Sequence, residues 1–313
     1  MELVNDKYPS RTDGLEQILP REEPIVAGNA RKTGGPLTVA QLNSYEEDGF
    51  LFLDSFYDEE SVATLHEEAE RLRVYEKVRQ SELAVTEPTS GETRSIFAVQ
   101  TVSDLFSKLS RDSRLLDIVR HLLGTEVYLH QTRLNLKPGF RGKEFYWHSD
   151  FETWHTEDGM PEMRAISCSI ALTDNYDFNG PLMLLPGSHK YFCQCAELTP
   201  DNHYQQSLKK QDFGVPSDEQ MKWLTDQGGI AIPKGAAGSV LLFDSNTMHG
   251  SNSNITPYPR RNALFVYNSM DNALEEPYAA EHRRPWYLGN RSPEALIPVD
   301  FNAEIKKSGS VSD

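Results

Sequence analysis

The chain has 313 residues, a formal net charge of −16 at neutral pH and three cysteines. Its length suffices for one elaborated domain, and its acidic balance without a Lys/Arg cluster argues against a nucleic-acid partner. Without a signal sequence or an apolar stretch of membrane-spanning length, and with an odd cysteine count, we expect a soluble cytoplasmic protein. Cys193 and Cys195 are expected to be free thiols rather than ligands of a second metal.

The N-terminal third is predicted to contain an arm and three helices. Residues 1–36 are polar and interrupted by Pro and Gly, which predicts an irregular arm rather than a packed element. Capping residues and helical spacing of apolar side chains then predict three helices and one strand. The helices run from Thr38, with Gln41 in a capping box, to Gly49; from Asp58 through Leu72; and from Asp112 to Gly124, and the strand is Phe50–Leu53.

Beyond residue 125 the apolar spacing becomes alternating, which is typical of strands. Strand-like runs occur at 126–137, 164–172, 182–185, 238–243 and 261–268. They predict one mainly β domain with flanking helices over residues 37–290, its barrel core at about 125–270, followed by a C-terminal tail at 291–313. The long polar segment at about 190–237 is predicted to be a lid or insert, with disorder as the alternative.

A metal site is the strongest functional prediction. On an extended strand, residues two apart project from the same side, so His148 and Asp150 would face one point. His249, just after an apolar strand, is the proposed third ligand. Two histidines and one carboxylate form the ligand set of non-haem Fe(II) oxygenases. The His-x-Asp motif alone is a weak signal, and structural histidines are the alternative.

An arginine that follows the distal histidine matches what a cosubstrate with two carboxylate-type ends would require. One end would bind the metal, and the other needs a guanidinium. Arg260, eleven positions after His249, meets this need, but strand parity does not distinguish it from Arg261. The run 126–137 carries a polar face that either lines a cavity or faces solvent on an edge strand. Its members are Gln131, Arg133, Asn135 and Lys137.

The segment from Phe145 to Pro161, which contains His148-Ser149-Asp150 and Trp154-His155, resembles the signature of the ectoine hydroxylases. These enzymes belong to the phytanoyl-CoA dioxygenase-like superfamily. The similarity extends over roughly residues 37–290 and includes the motifs Glu47-Asp48-Gly49-Phe50, Met163-Arg164-Ala165, Asn179-Gly180 and Pro186-Gly187-Ser188-His189.

The resemblance implies a double-stranded β-helix barrel of the jelly-roll, cupin-like type, and a complete site. Fe(II) would be bound by His148, Asp150 and His249, and 2-oxoglutarate by Arg260 with Lys137 and Asn135 nearby. The substrate would contact Gln131, Trp154, Phe243 and Phe145, although such aromatic side chains could simply pack in the core.

The implied reaction is the O2-dependent hydroxylation of ectoine, a compatible solute of osmotic stress, by a homodimer. The products are 5-hydroxyectoine, succinate and CO2. Asp150 favours hydroxylation, because related halogenases lack this carboxylate. Two alternatives remain open: a hydroxylase of another small zwitterion or amino-acid derivative, and a non-catalytic cupin-like metal-binding protein that needs neither Arg260 nor Lys137.

Overall fold

The computed structural model of the chain describes residues 6–12, 16–31, 34–86, 91–200, 204–207 and 213–309. Within these ranges the strands are β1 (Ile18–Pro20), β2 (Phe50–Leu53), β3 (Ala84–Thr86), β4 (Thr93–Phe97), β5 (Val127–Lys137), β6 (Phe145–His148), β7 (Ala165–Ala171), β8 (Leu182–Leu184), β9 (Tyr191–Cys193), β10 (Val240–Asp244), β11 (His249–Ser251) and β12 (Arg260–Ser269). The helices are α1 (Val39–Asp48), α2 (Glu59–Val74), α3 (Glu76–Arg79), α4 (Val99–Val102), α5 (Asp104–Leu109), α6 (Ser113–Leu123), α7 (Asp150–Thr153), α8 (Tyr204–Ser207), α9 (Asp218–Gly228) and α10 (Phe301–Gly309). A π-helical turn, Trp154–Asp158, continues α7. In these ranges no helix has the length and apolar character needed to cross a membrane.

Two antiparallel sheets form the barrel. The large sheet has the strand order β2-β10-β7-β12-β5-β4-β3, and the small sheet has the order β6-β11-β8. Because side chains alternate along a strand, one face of the large sheet packs against the main hydrophobic core and the other faces a cavity. Leu134 and Leu136 of β5 join the main hydrophobic core with residues of α2 and α6, whereas Arg133 and Asn135 line a cavity shared with the small sheet. The mainly β barrel with flanking helices, predicted from the sequence, is confirmed.

The helix boundaries follow from local capping chemistry. The Thr38 hydroxyl accepts a hydrogen bond from the Gln41 amide at 3.2 Å, and the Gln41 side chain accepts from the Thr38 amide at 2.9 Å. Gly49 ends α1 with a φ of +83°, a conformation that favours glycine. Asp58 and Asp112 cap α2 and α6 as predicted. The five strand-like runs correspond to β5, β7, β8, β10 and β12.

The N-terminal arm differs from its prediction. Its described residues are mostly irregular in backbone, but β1 pairs with β9, and the side chains of Tyr8 and Arg11 are buried. The prediction that the arm is not a packed element is therefore wrong for the described residues. Local composition indicated the irregular backbone but carried no information about distant partners.

The segment at 190–237 is also built into the fold. It contains β9 and α9, and α9 begins with a capping box formed by Ser217 and Gln220. The predicted lid or insert lies partly outside the described residues, at 201–203 and 208–212. At the C-terminus, Phe301 and Ile305 of α10 join the main core.

Candidate active site

The three predicted metal ligands meet where the small sheet adjoins α7. His148 is the last residue of β6 and pairs in register with His249, the first residue of β11. Asp150 is the first residue of α7, because the Ser149 hydroxyl caps that helix by accepting from the Glu152 amide at 3.4 Å. The premise of one continuous strand through 148–150 is therefore wrong, but the side chains converge as predicted. Their ligand atoms lie within 4.8 Å of one another.

Hydrogen bonds orient both imidazoles for a metal. The Nδ1 atom of His148 lies 2.8 Å from the Tyr146 carbonyl oxygen, and that of His249 lies 2.9 Å from the Thr247 carbonyl oxygen. A carbonyl only accepts, so each Nδ1 carries the proton and each Nε2 presents a lone pair. The two Nε2 atoms lie 3.7 and 3.8 Å from the Asp150 Oδ1 atom.

The protonation states also suit a metal. Burial, with the nearby His249, lowers the pKa of His148 to about 3, so this imidazole is neutral at physiological pH. Burial alone would raise the pKa of Asp150, but His249, His148 and the Arg133 guanidinium outweigh it and hold that pKa below its ordinary value. Two imidazoles and one carboxylate fit a divalent cation. No other such group of three ligands occurs in the described part of the chain, where all three cysteines are free and buried.

A cavity opens from the ligands between the two sheets, and Arg260 lies in it. Arg260 is the first residue of β12 and is buried among the cavity walls. Arg261 faces the opposite side of β12, where its Nε atom donates to the Glu70 carboxylate at 2.6 Å. The geometry thus separates the two arginines that strand parity had left equivalent.

Lys137 and Asn135 line the same cavity, so the polar face of β5 lines a cavity rather than facing solvent. In the ladder, Lys137 lies opposite Arg260, and Asn135 lies opposite Asn262. The Lys137 ammonium donates to the Ser251 hydroxyl at 2.9 Å. The described residues of 190–237 contribute nothing to the lining of this cavity, and their role as a lid stays a prediction.

The cavity is strongly basic. Its lining includes five basic side chains and, among the described residues, no acidic one; the basic members are Arg94, Arg133, Lys137, Lys143 and Arg260. Burial, together with Arg133 and Arg94, lowers the pKa of Arg260 to about 10. Arg260 is buried and forms no ion pair with any described carboxylate. Buried charges without partners are unfavourable, so the cavity is suited to an anion.

Arg94 was not found from the sequence. It lies in β4, a strand that no alternation pattern predicted, with its guanidinium 5.5 Å from the centre of the Phe145 ring. Arg133 belongs to the polar face of β5 noted in the sequence, but nothing in the sequence singled it out.

The four predicted substrate residues divide into two pairs. Phe145 and Phe243 line the cavity, with their rings centred 4.9 Å from the His148 ring and 5.0 Å from the His249 ring, respectively. Gln131 and Trp154 do not line it. Gln131 lines a second cavity and donates to the Leu288 carbonyl at 2.8 Å. The buried Trp154 packs 4.9 Å from the ring of His130, which lines that second cavity.

Known proteins are similar to this chain in sequence and in fold. The family model of phytanoyl-CoA dioxygenase (PhyH) matches residues 45–262. The ectoine dioxygenase of Bordetella bronchiseptica is 52% identical over 298 residues, covering 95% of this chain and 96% of that protein. The ectoine dioxygenase of Halomonas elongata is 51% identical, covering 94% and 88%. A crystal structure of EctD from S. alaskensis with 2-oxoglutarate and 5-hydroxyectoine superimposes with a TM-score of 0.86 at 44% identity, covering 94% of this chain and 98% of that one, and the form with bound Fe gives 0.85. The chain belongs to the phytanoyl-CoA dioxygenase family and, within it, to the ectoine dioxygenases.

Proposed function

We propose that this protein is an Fe(II)- and 2-oxoglutarate-dependent dioxygenase that hydroxylates ectoine to 5-hydroxyectoine. The observation that carries the proposal is the meeting of a His–Asp–His ligand set with a buried cationic cavity. A metal-binding protein without turnover would need the ligand set alone. The basic cavity beside the ligands favours a reaction that uses an anionic cosubstrate.

His148, Asp150 and His249 would hold the iron, and His148 and His249 also line the cavity. Iron bound there supplies, with O2 and 2-oxoglutarate, the oxidising chemistry that inserts one oxygen atom into a substrate C–H bond and releases succinate and CO2. The protein binds and orients both organic molecules and excludes water from the reacting atoms. Ser167 holds the Asp150 carboxylate by donating from its hydroxyl at 3.0 Å.

In this proposal Arg260 binds the distal carboxylate of 2-oxoglutarate, with Lys137 and Asn135 beside it. The ladder supports the grouping, because Arg260 and Lys137 are opposite each other on β12 and β5. A planar guanidinium binds a carboxylate through two parallel hydrogen bonds, which orients the molecule as well as holding it.

Ectoine is a small cyclic amidinium that carries a carboxylate, so its site needs both aromatic faces and donors. Phe145 and Phe243 supply aromatic walls beside the two histidines. Gln131 precedes Arg133 by two positions on β5, a separation of about 7 Å along an extended strand. A substrate that extends from the iron along β5 would therefore reach the second cavity, where Gln131 lies and Trp154 packs behind His130.

The direct test is to incubate the protein with Fe(II), 2-oxoglutarate, O2 and either ectoine or proline, and to measure succinate and hydroxylated product by mass spectrometry. We expect one succinate for each 5-hydroxyectoine. Hydroxylation of proline but not of ectoine would contradict the substrate and favour the related amino-acid hydroxylase. The absence of succinate with either compound would favour the non-catalytic alternative.

We further propose that the enzyme acts in the cytoplasm, under osmotic stress, as a homodimer. Three buried free thiols are compatible with a reducing compartment, and twofold dimers are the commonest assembly of soluble proteins. Light scattering after gel filtration tests the assembly, and a mass of one chain, 35.5 kDa, would contradict it.

A further inference from the structure

The segment that follows the metal ligand Asp150 carries two buried carboxylates on either side of Trp154. Glu152 lies in α7, and Glu157 lies in the π-helical turn, each with a side chain no more than 3% exposed. Charged side chains are rarely buried unless they are paired. The partner of these two carboxylates therefore determines where the segment lies.

Glu157 also lies 3.8 Å from Arg284, but the partner that both carboxylates share is Arg11 of the N-terminal arm. Its Nε and Nη2 atoms donate to the two Glu152 carboxylate oxygens at 3.0 and 2.8 Å, and its Nη1 atom donates to Glu157 at 2.5 Å. The Arg11 side chain is fully buried. One guanidinium thus links the residues on both sides of Trp154 and uses its planar fork on Glu152.

Other residues of the arm bind the same segment. The Ser10 hydroxyl donates to Glu152 at 2.8 Å, and an oxygen of the Asp6 carboxylate lies 2.8 Å from the Nε2 atom of His155. The Tyr8 ring packs edge-on against Phe151, with ring centres 5.6 Å apart. Residues 6–11 therefore follow α7 and the π-helical turn along their length.

The backbone around Arg11 is adapted to this contact. Arg11 has a φ of +55°, which is unfavourable for a residue with a side chain and persists only where surrounding contacts enforce it. On the other side of the ion pair, a Cβ atom added to Gly214 would collide with the Glu152 carboxylate and the Arg11 guanidinium. The arm and the 213–214 loop together close this ion pair off from solvent.

The arm also lies outside the part of the chain that matches the phytanoyl-CoA dioxygenase family, residues 45–262. That range contains all three proposed iron ligands and the proposed 2-oxoglutarate residues. The four predicted substrate residues, Gln131, Phe145, Trp154 and Phe243, lie in that range too, so the arm can act on the site only through the segment that it contacts.

We infer that Arg11 is a positioning residue that fixes Trp154 behind His130, a wall of the second cavity, and so sets specificity for ectoine. The inference rests on the proposed function. Arg11 touches no reacting atom and acts through the segment that it links. Loss of Arg11 would leave Glu152 and Glu157 buried without this partner, and the segment between them would shift to hydrate them.

The test compares Arg11→Gln and Arg11→Lys with wild-type enzyme in steady-state assays that vary ectoine and 2-oxoglutarate separately. For Arg11→Gln we expect the KM for ectoine to rise at least tenfold, and the KM for 2-oxoglutarate to stay within twofold. Lysine keeps the charge but cannot form the fork, so Arg11→Lys should fold and give an intermediate KM for ectoine. Hydrogen–deuterium exchange of peptides from residues 150–158 should be faster in both variants.

Leu65→Ala is the matched control, because Leu65 is fully buried on α2 in the main core, a cluster that contains no residue of 150–158. It should lower Tm but leave both KM values and the exchange of residues 150–158 unchanged. A KM for ectoine that stays within twofold of wild type in Arg11→Lys and Arg11→Gln overturns the inference. So does a parallel rise of both KM values, or the same KM pattern in Leu65→Ala.

Failure of the proposed function would be visible separately, as an absence of succinate from wild-type protein with ectoine. The exchange measurement still applies in that case, because it needs no substrate. Unchanged exchange of residues 150–158 in the Arg11 variants would then overturn the linking role itself.

Discussion

Replacement of Arg260 by Ala should weaken 2-oxoglutarate binding while leaving the protein folded. Arg260 is buried in the cavity beside other guanidinium groups and has no carboxylate partner among the described residues. Its removal therefore leaves no described charge without its partner. It also relieves repulsion with Arg133 and Arg94.

The magnitude follows from the hydrogen bonds that the guanidinium can form. A hydrogen bond to a charged group contributes about 1.5–3 kcal/mol, and a bidentate guanidinium–carboxylate pair contains two. Part of this gain is offset, because Arg260 must be kept buried near like charges. A net loss of about 3 kcal/mol corresponds to a rise of roughly 100-fold in the 2-oxoglutarate requirement.

Arg261→Ala is the matched control, one residue along the same strand. Arg261 bonds to Glu70 on the opposite face of β12, so its loss should cost stability, about 1 kcal/mol for a partly exposed pair, and leave the KM for 2-oxoglutarate unchanged. The assay measures succinate release at varied 2-oxoglutarate and saturating ectoine, with Tm recorded for each variant without ligands. A larger effect on 2-oxoglutarate in Arg261→Ala than in Arg260→Ala would refute the assignment.

Three further predictions address the rest of the molecule. Replacing His148, Asp150 or His249 by Ala should abolish turnover and reduce metal binding, measured by calorimetry with Co(II). The circular dichroism spectrum should stay native. Full activity of a variant with iron bound would exclude the replaced residue as a ligand. Trp154→Ala should raise the KM for ectoine at least tenfold with iron loading unchanged, since removal of the indole leaves a void behind His130, which lines the second cavity. Burial lowers the pKa of His189 from 6.5 to about 4 in the folded protein, so the unfolded state binds a proton more readily. The neutral ring therefore stabilises the folded state above pH 6.5, and this contribution, about 3 kcal/mol, is lost as the pH falls towards 4. His189→Gln should therefore show a smaller fall in Tm between pH 7.5 and 4.5 than wild type, and an equal fall would contradict this reasoning.

The sequence predicted the features that depend on local chemistry. A capping box needs only Thr38 and Gln41, and the polar alternation of β5 extends over residues close in the chain. The predicted convergence of the His148 and Asp150 side chains also depends on residues close in the chain. The structure confirms it, although Asp150 begins a helix. The extended conformation of Ser149, with φ −100° and ψ 130°, is enough to bring both side chains to one side.

Features that depend on distant partners were missed. Arg260 and Arg261 are adjacent at the start of a strand, and only the pairing of β12 with β5 and the position of Glu70 separate them. Arg11 and Glu152 are separated by 141 residues, so the composition of the arm could not reveal that it is packed.

The arginines around the site differ in whether the protein itself supplies a carboxylate partner. In the cavity, Arg260 has no carboxylate partner among the described residues, so an anion entering from solvent stabilises it. Behind α7, Arg11 is already paired with two carboxylates, so a ligand there would have to displace them.

Substitution of the two arginines should therefore change Tm in different ways in the protein without ligands. Arg260→Ala should leave Tm unchanged or raise it. Arg11→Gln should lower Tm, because unpairing a buried charge costs about 3–5 kcal/mol. Thermal unfolding of both variants without and with 2-oxoglutarate tests this directly. The added 2-oxoglutarate should stabilise Arg11→Gln but not Arg260→Ala. Equal stabilisation of both variants would mean that the anion binds elsewhere.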